Sequence, residues 1–546
     1  MMTIVLDIMI RDVEQCLIIG SGFGGLCQAI KLKKANIQNF TILEKESSLG
    51  GTWRDNTYPG AACDVPSSLY SYSFDIAQTT WTSDYTEQKG ILQYIHKVAK
   101  KYDIQKHIIY QQNVCRMEYR EEEFVWYVFT DDGSLYKAKF VVTAVGQLHH
   151  PKIPVFPGVK AFKGGMVHTS KFSSRQLEDY ADKNVAVIGS GASAVQLIPE
   201  LQKVCRNVYV FQRTPNYILP RLDLTPKLQK VMNTFTFTKW LYRLYLLNVG
   251  EVFLLGAIKG KRWAQKLLMA LWFQNMKQHI QDESLQEELT PTFSIGANRI
   301  LFSDTFYPAL GKSNVHIISK GIKEIDTNGI VSLNESRTEV DDIVYATGFI
   351  TNPFLYDMIV TGRSGKVLWE GDQGSHGYFG VNTHGFPNLF FLYGPNTNVG
   401  HTSILLFVEE QADFVIRTMS HLDDNGFQAI EVKKQIEDAF GSEINKRSEH
   451  LAFTSVKDSW YLSSNGCNTN NWVGSFKEYK CRLKRVDLAV DFDMHGKKPL
   501  RRNSKKMPSQ AEKHWILSLC FRFLQSVISI IFSAPKAIIT KREKFD

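Results

Sequence analysis

"CLIIGSGFGGLCQAIKLKKA", residues Cys16–Ala35, decides the fold. Four apolar residues make a short strand, a glycine turn follows, and a run with helical spacing closes the unit. Gly20, Gly22 and Gly25 form GxGxxG in the strand–turn–helix setting that gives the pattern meaning. Missing side chains let the backbone approach a pyrophosphate, which also meets the positive end of the helix. Further on, "FTILEK" reads as a second strand ending in Glu44, an acid placed for a ribose hydroxyl.

The architecture recurs downstream. "NVAVIGSGASAVQLIPEL" gives strand, then Gly189, Gly191 and Ala194 as GxGxxA, then helix. Its next strand, "NVYVFQRTPNY", ends in Arg213 and Thr214 where the first unit has Glu44. An acid repels a ribose 2′-phosphate, whereas Arg and Thr bind one. The first cradle therefore suits FAD, and the second suits NADPH.

Two more strands, "FVVTAVGQL" and "DDIVYATGFI", end in small-residue turns (Thr143–Gly146 and Ala346–Gly348) that suit crossovers between two nucleotide domains. The expected fold class is α/β: two Rossmann-like dinucleotide-binding domains, one inserted in the other, with a helical insertion and a C-terminal amphipathic helix. The expected boundaries are an FAD-binding domain over 1–150 and 376–495, and an NADPH-binding domain over 151–222 and 296–375. A helical insertion takes 223–295, and a basic linker with an amphipathic tail takes 496–546.

Composition agrees with a large globular chain: 546 residues, 44% hydrophobic and 12% aromatic. Much of the net charge of +9 follows Gly496, in "KKPLRRNSKK" and "TKREK", so it belongs to the tail and nucleic acid is not an expected partner. The eight cysteines are scattered without a CxxC pair or a close Cys/His cluster, which argues against zinc and disulfides and fits a cytoplasmic protein. "MMTIVLDIMIRDVEQC" has no basic lead and an Asp in its apolar run, unlike a signal peptide.

Gly50, Gly51, Thr52 and Trp53 follow the acid-bearing strand, where an FAD protein covers its flavin, and Asp64 is the one acid in the small, apolar run "YPGAACDVPSS" further on. With these residues the chain resembles the flavin monooxygenases that use FAD and NADPH on one chain, from about Gln15 to about Gly474. These are the Baeyer–Villiger monooxygenases and their N- and S-oxygenating relatives. In "AFKGGMVHTSKFSSR" (Ala161–Arg175), Phe162, Gly164 and His168 match the Baeyer–Villiger fingerprint Phe-x-Gly-x-x-x-His-x-x-x-Trp. Phe172 stands at the Trp position with Ser173 after it, which is closer to the heteroatom branch.

"YPGAACDVPS" is similar to the Baeyer–Villiger segment whose aspartate supports an active-site arginine, here Asp64. "GANRILFSDTFYPAL" resembles the segment supplying that arginine, here Arg299, with Asn298 where a lysine is common. "GPNTNVGHTSI", which contains Asn398, looks like the returning flavin-domain segment, and "SWYLSSNGCNTNNWVG" resembles the late active-site loop. In the second cradle helix, Ala192 replaces the Asn usual in the heteroatom branch.

The resemblance implies a reduced flavin that activates dioxygen beside a fixed arginine. Positive charge there favours an anionic nucleophile that attacks a ketone over a protonated electrophile that attacks nitrogen or sulfur. His168, on the link into the NADPH domain, is expected to couple nicotinamide position to flavin state. The leading expectation is oxygen insertion into a lipophilic ketone, and N- or S-oxygenation is the nearest alternative. A disulfide reductase would need a partner for Cys63, and a membrane adaptor with vestigial cradles would hold no yellow cofactor.

Residues 223–290 read as helical and aromatic, with Arg243, Glu251 and Lys259 interrupting the apolar run. This predicts an insertion packed on the NADPH domain, or an apolar access surface that touches a bilayer. In the tail, "HWILSLCFRFLQSVISIIFSAPKAII" carries a narrow polar stripe between basic flanks, predicting a helix that lies peripherally on a membrane, with packing against the flavin domain or a true span as the alternatives.

Overall fold

The computed structural model describes residues 12–81, 83–172, 177–221, 223–370, 374–456, 461–463 and 466–497. The amphipathic tail lies outside the described residues, as does Ser173.

The opening stretch forms strand β1 (Glu14–Ile19) and helix α1 (Phe23–Lys34). Cys16 to Ile19 are buried, as a strand covered on both faces requires. β1 pairs in parallel with β2 (Phe40–Leu43), which pairs with β3 (Ile108–Ile109). On its other side, β1 pairs in parallel with the last strand of an antiparallel meander, β4 (Val114–Arg120), β5 (Val125–Thr130) and β6 (Leu135–Thr143).

From the end of β6 the chain crosses into a second, all-parallel sheet. It contains β7 (Gly165–His168), β8 (Asn184–Ile188), β9 (Asn207–Phe211), β10 (Val315–Ile318) and β11 (Asp342–Tyr345), in the order β10–β9–β8–β11–β7. Helix α2 (Ala192–Gln202) follows β8 as α1 follows β1. After β11 the chain returns to the first sheet as β12 (Ile359–Thr361) beside β4 and β13 (Leu389–Phe391) beside β6. The expected boundary at 375 is therefore corrected: β12 already belongs to the first sheet, so the second crossover comes before Ile359.

Both crossovers use one steric device. Gly20, at φ +99°, faces the Ala144 carbonyl so closely that a Cβ would stand 2.7 Å from its oxygen. Gly189, at φ +123°, faces the Ala346 carbonyl in the same way, at 2.4 Å. Only glycine fits either place.

The insertion comprises α3 (Pro226–Thr234), α4 (Thr236–Val249), a π-helical turn (Gly250–Leu254), α5 (Leu255–Ile258) and α6 (Arg262–His279). Leu268, Trp272 and Met276 on α6 join the same core as Val185, Val187 and Ile198, so the insertion packs on the second nucleotide domain as expected. α4 is tied to the first domain instead: Arg243 is buried, and its Nη1 donates to the Ser68 and Leu69 carbonyls. A 22-residue helix, α7 (Ile404–Asn425), backs the first sheet and supplies Leu405, Phe407 and Val415 to its core.

Candidate active site

A single cavity of about 1050 Å³ runs from the first glycine turn to the second. Gly20, Gly22, Glu44, Gly51, Thr52, Trp53 and Asp64 line it from one domain; Gly189, Gly191, Arg213 and Thr214 line it from the other. Arg299 and Asn398 complete the wall.

α1 and α2 begin at Gly22 and Gly191 without a side-chain cap, which leaves their first amide groups free for a ligand. A Cβ on Gly191 would meet nothing within 4 Å, so that space stays open to the cavity. Gly22 and Gly51 lie back to back, a Cβ on Gly51 coming 3.1 Å from the Gly22 Cα. Gly25 and Ala194 do not line the cavity, which corrects their assignment as cofactor contacts. A Cβ on Gly25 would stand 1.9 Å from the Gly20 oxygen, and Ala194 is fully buried. Both let a helix press on its strand.

Glu44 is buried and already accepts four hydrogen bonds. Ser21 N and Oγ donate to Oε2 at 2.9 and 2.6 Å, while Glu46 N and Arg54 Nη1 donate to Oε1 at 3.1 and 3.0 Å. That fills a carboxylate's acceptor capacity. A ribose hydroxyl reaching Glu44 therefore replaces a donor, and the Ser21 hydroxyl is the one free to rotate away. Arg213 is exposed at the rim and has no acidic partner among the described residues, as a 2′-phosphate site requires. The donors and open glycine faces fit one dinucleotide in each cradle.

The expected arginine–aspartate pair is present. Arg299 Nε donates to Asp64 Oδ2 at 2.8 Å and Nη2 to Oδ1 at 2.6 Å, a bidentate ion pair. The two side chains are 31% and 15% exposed, so the pair sits in the cavity wall. The Asp64 charge raises the guanidinium above its ordinary value against the effect of burial, so Arg299 stays charged. Its third nitrogen, Nη1, has no hydrogen bond among the described residues. The Arg299 loop is fixed by Gly296, whose φ of +95° lets it pass 2.9 Å (measured to a Cβ placed there) from the Ile258 amide of α5.

Beside Arg299 lies a small adjoining space of about 20 Å³, walled by Leu255, Ile258, Ile300, Phe453, Tyr461 and Trp472, with His401 at its edge. His401 was not anticipated. It is buried, its Nε2 has no partner among the described residues, and burial together with the Lys259 charge pushes it down to about 3. Asn398 binds within the protein: it accepts from the Tyr393 hydroxyl at 2.7 Å and donates to Asn471 Oδ1 at 2.6 Å. Asn396 donates to the Asn468 carbonyl at 2.7 Å, so this segment is zipped to the late loop.

His168, expected on the link into the NADPH domain, does not line the cavity and so touches neither reacting group directly. The Ser170 amide donates to Nδ1 at 3.2 Å, so Nε2 carries the proton and donates to the Gly348 carbonyl at 3.1 Å. It links β7 to the second crossover, and burial lowers its basicity. Phe172 is buried and stacked on Tyr180 at 5.1 Å and does not line the cavity.

Gln196 on α2 is a second unanticipated residue. It donates to the Ala62 carbonyl at 2.9 Å and accepts from the Tyr58 hydroxyl at 2.8 Å, joining the NADPH-type domain to the loop that leads to Asp64. Among the described residues Cys63 is the one cysteine lining the cavity, and burial raises its thiol, so no second described cysteine there pairs with it in a redox dithiol.

Comparison with known proteins places the chain by its similarity. The sequence profile of the pyridine nucleotide-disulphide oxidoreductase family matches residues 17–239. A Baeyer–Villiger monooxygenase of Pseudomonas aeruginosa is 34% identical over 481 residues, covering 87% of this chain and 90% of that protein. One from Streptomyces coelicolor is 34% identical over 479 residues, covering 86% and 91%. Among solved structures, a steroid monooxygenase bound to NADP is similar at a TM-score of 0.78 and 27% identity, covering 88% of this chain and 99% of that one. The cyclohexanone monooxygenase from Rhodococcus sp. Phi1 bound to NADP+ gives a TM-score of 0.78 at 27% identity, with 89% and 99% covered.

Proposed function

The chain belongs to the Baeyer–Villiger monooxygenases, and from that premise we propose that it converts a lipophilic ketone into an ester or lactone, with Arg299 and Asp64 at the reacting end of its cavity. FAD and NADPH are its cofactors. Bound FAD, reduced by NADPH, supplies the activation of dioxygen from which one oxygen atom reaches the substrate. Gly20, Gly22, Gly51, Thr52 and Trp53 would hold that group; Gly189, Gly191, Arg213 and Thr214 would hold the nicotinamide cofactor.

The observation that carries the ketone reading is the bidentate Arg299–Asp64 pair in the wall of the cavity shared by both cradles. Asp64 fixes the guanidinium plane and keeps it charged, and Nη1 remains for an oxygen brought to that end. A preorganised cation there stabilises negative charge as it develops on a carbonyl oxygen. Apolar walls from Leu255, Ile258 and Trp472 limit water around it, which strengthens the interaction. Both features support attack on a carbonyl over oxygenation of nitrogen or sulfur.

Localisation is proposed as cytoplasmic, with the 496–546 tail lying peripherally on an anionic leaflet. Its basic linker and wide apolar face support this. Incubating the purified holoenzyme with NADPH, a long-chain ketone and a sulfide tests the chemistry. Ester or lactone is the expected product, and sulfoxide alone would overturn the ketone assignment.

A further inference from the structure

The helical insertion has two faces with opposite demands. Its inner residues Leu255 and Ile258 wall the small space beside Arg299. A few residues away on the outer side, Val252, Trp263 and Leu267 are 47%, 49% and 42% exposed. Phe253 and Trp263 meet edge to face at 5.7 Å across the α5–α6 turn, so these apolar groups flank one structural tip. The turn itself passes through Gly260 at φ +69° and carries Lys259, Lys261 and Arg262, with Lys266 one helical turn further. All four cations are exposed, and none has an acid within 4 Å among the described residues. Glu251 is the only acidic residue between Leu224 and His279. Further back on the insertion, Phe235, Phe237 and Trp240 are exposed as well.

A helix that faces water alternates charges on its outer surface. This one presents aromatic and aliphatic groups among unpaired cations, the composition that settles at the boundary of an anionic bilayer. The 23-residue run Thr236–Ile258 is long and apolar enough to cross a membrane by length and composition. Yet Arg243 in its middle is buried against the Ser68 and Leu69 carbonyls, and the π turn is packed so tightly that a Cβ on Gly250 would stand 2.1 Å from the His401 oxygen. With one face held by the protein, the run lies on a surface and does not pass through it.

We propose that the tip of the insertion, the α5–α6 turn with Val252, Trp263 and Leu267, docks on an anionic lipid bilayer and takes ketone dissolved in that bilayer past α5 to Arg299. The delivery step rests on the ketone reading of the site; the docking step does not. This contact is separate from any made by the C-terminal tail.

The test uses the full-length holoenzyme, sedimented with vesicles of phosphatidylcholine alone or mixed with phosphatidylserine. Binding should favour the anionic vesicles and weaken in about 0.5 M salt, where exposed charges are screened. Trp263→Ser with Leu267→Ser, and separately Lys261→Glu, Arg262→Glu and Lys266→Glu together, should each lower vesicle partition at least about tenfold with the tail intact. Both variants should keep bound FAD and the wild-type rate on a short, water-miscible ketone. Their rate on a long-chain ketone carried in vesicles should fall with partition. Variants that partition like the wild type would overturn the proposal, since the tail would then carry all binding. A wild type that ignores vesicles, with variants that split a dimer seen by light scattering, would overturn it in favour of a second copy on this face. Absence of ester from both ketones would sink the proposed function, while vesicle partition, measured separately, still decides the docking.

Discussion

Arg299 reaches the cavity with two nitrogens committed to Asp64 and one left for chemistry. Arg299→Ala should abolish ester formation while NADPH still bleaches the flavin absorbance at close to the wild-type rate. Asp64→Ala should be worse for the fold, because it strands a cation: stability should fall by about 2 kcal/mol and ester formation by about a hundredfold. Slow flavin bleaching in Arg299→Ala would contradict the role assigned to it. His401 makes a different prediction, about pH. The native ring is held neutral, at about 3, whereas the unfolded ring protonates near 6.5. Its stabilisation is therefore complete above about pH 6.5 and is lost as pH falls toward 3, because the unfolded chain takes up the proton first. One such group costs about 1.4 kcal/mol per pH unit. Urea melts of His401→Gln between about pH 6 and 4 should show a shallower decline than the wild type. His149, also pushed down to about 3, keeps part of the slope. Asp64 and Arg299 were legible because each stands in a segment with a known likeness. His401 was not, because its significance lies in being buried with Nε2 unpartnered among the described residues, which only packing reveals.

At the scale of elements, the two cradles were legible because strand, turn and helix are contiguous and the glycines sit at fixed offsets. The meander β4–β6 was legible only in part: Asp132-Gly133 marks the turn from β5 to β6, whereas Glu121–Phe124, between β4 and β5, carries no glycine, proline or Asn to mark a turn. The early return of β12 was not legible, because three residues give too little periodicity to place them in a sheet. The structure also separates glycines that the sequence pattern treats alike. Gly25→Ala puts a methyl 1.9 Å from a backbone oxygen, so α1 must lift off β1. A loss of about 3 kcal/mol and purification without yellow colour are expected. Gly191→Ala puts its methyl into open space at a backbone φ of −79°, which any residue adopts. Its melting temperature should hardly move, while the KM for NADPH rises about tenfold or more, because the methyl stands where the pyrophosphate must approach. Equal thermal shifts in the two variants would mean that the second cradle is not an open ligand face.

Across the whole molecule, two contacts that bear on how the nucleotide domains are joined lie far apart in sequence. At one, His168 holds the Gly348 carbonyl of the second crossover. At the other, Gln196 holds Tyr58 and Ala62, and Gly60, at φ +79°, passes so near α2 that a Cβ would lie 2.4 Å from the Gln196 oxygen. This second seam ends two residues before Asp64, so the contact of α2 with this loop helps to set the distance from the NADPH cradle to the Arg299–Asp64 pair. Loosening it should disturb the coupling of the two half-reactions more than either one alone. Gln196→Ala leaves the Ala62 carbonyl without its side-chain donor and takes one of two partners from the Tyr58 hydroxyl, a cost of about 1–2 kcal/mol. Both glycine cradles stay intact, so FAD content and the rate of flavin bleaching by NADPH should change less than about twofold. What should change is the ratio of NADPH consumed to ester formed, which rises above one, with the excess electrons recovered as hydrogen peroxide in solution. His168→Ala loosens the other seam, and the two seams share no side chain. Their effects on the ratio should therefore combine multiplicatively in the double variant. A ratio that stays at one in Gln196→Ala, together with a normal KM for NADPH, would show that the contact holds the fold without setting the alignment of the two sites.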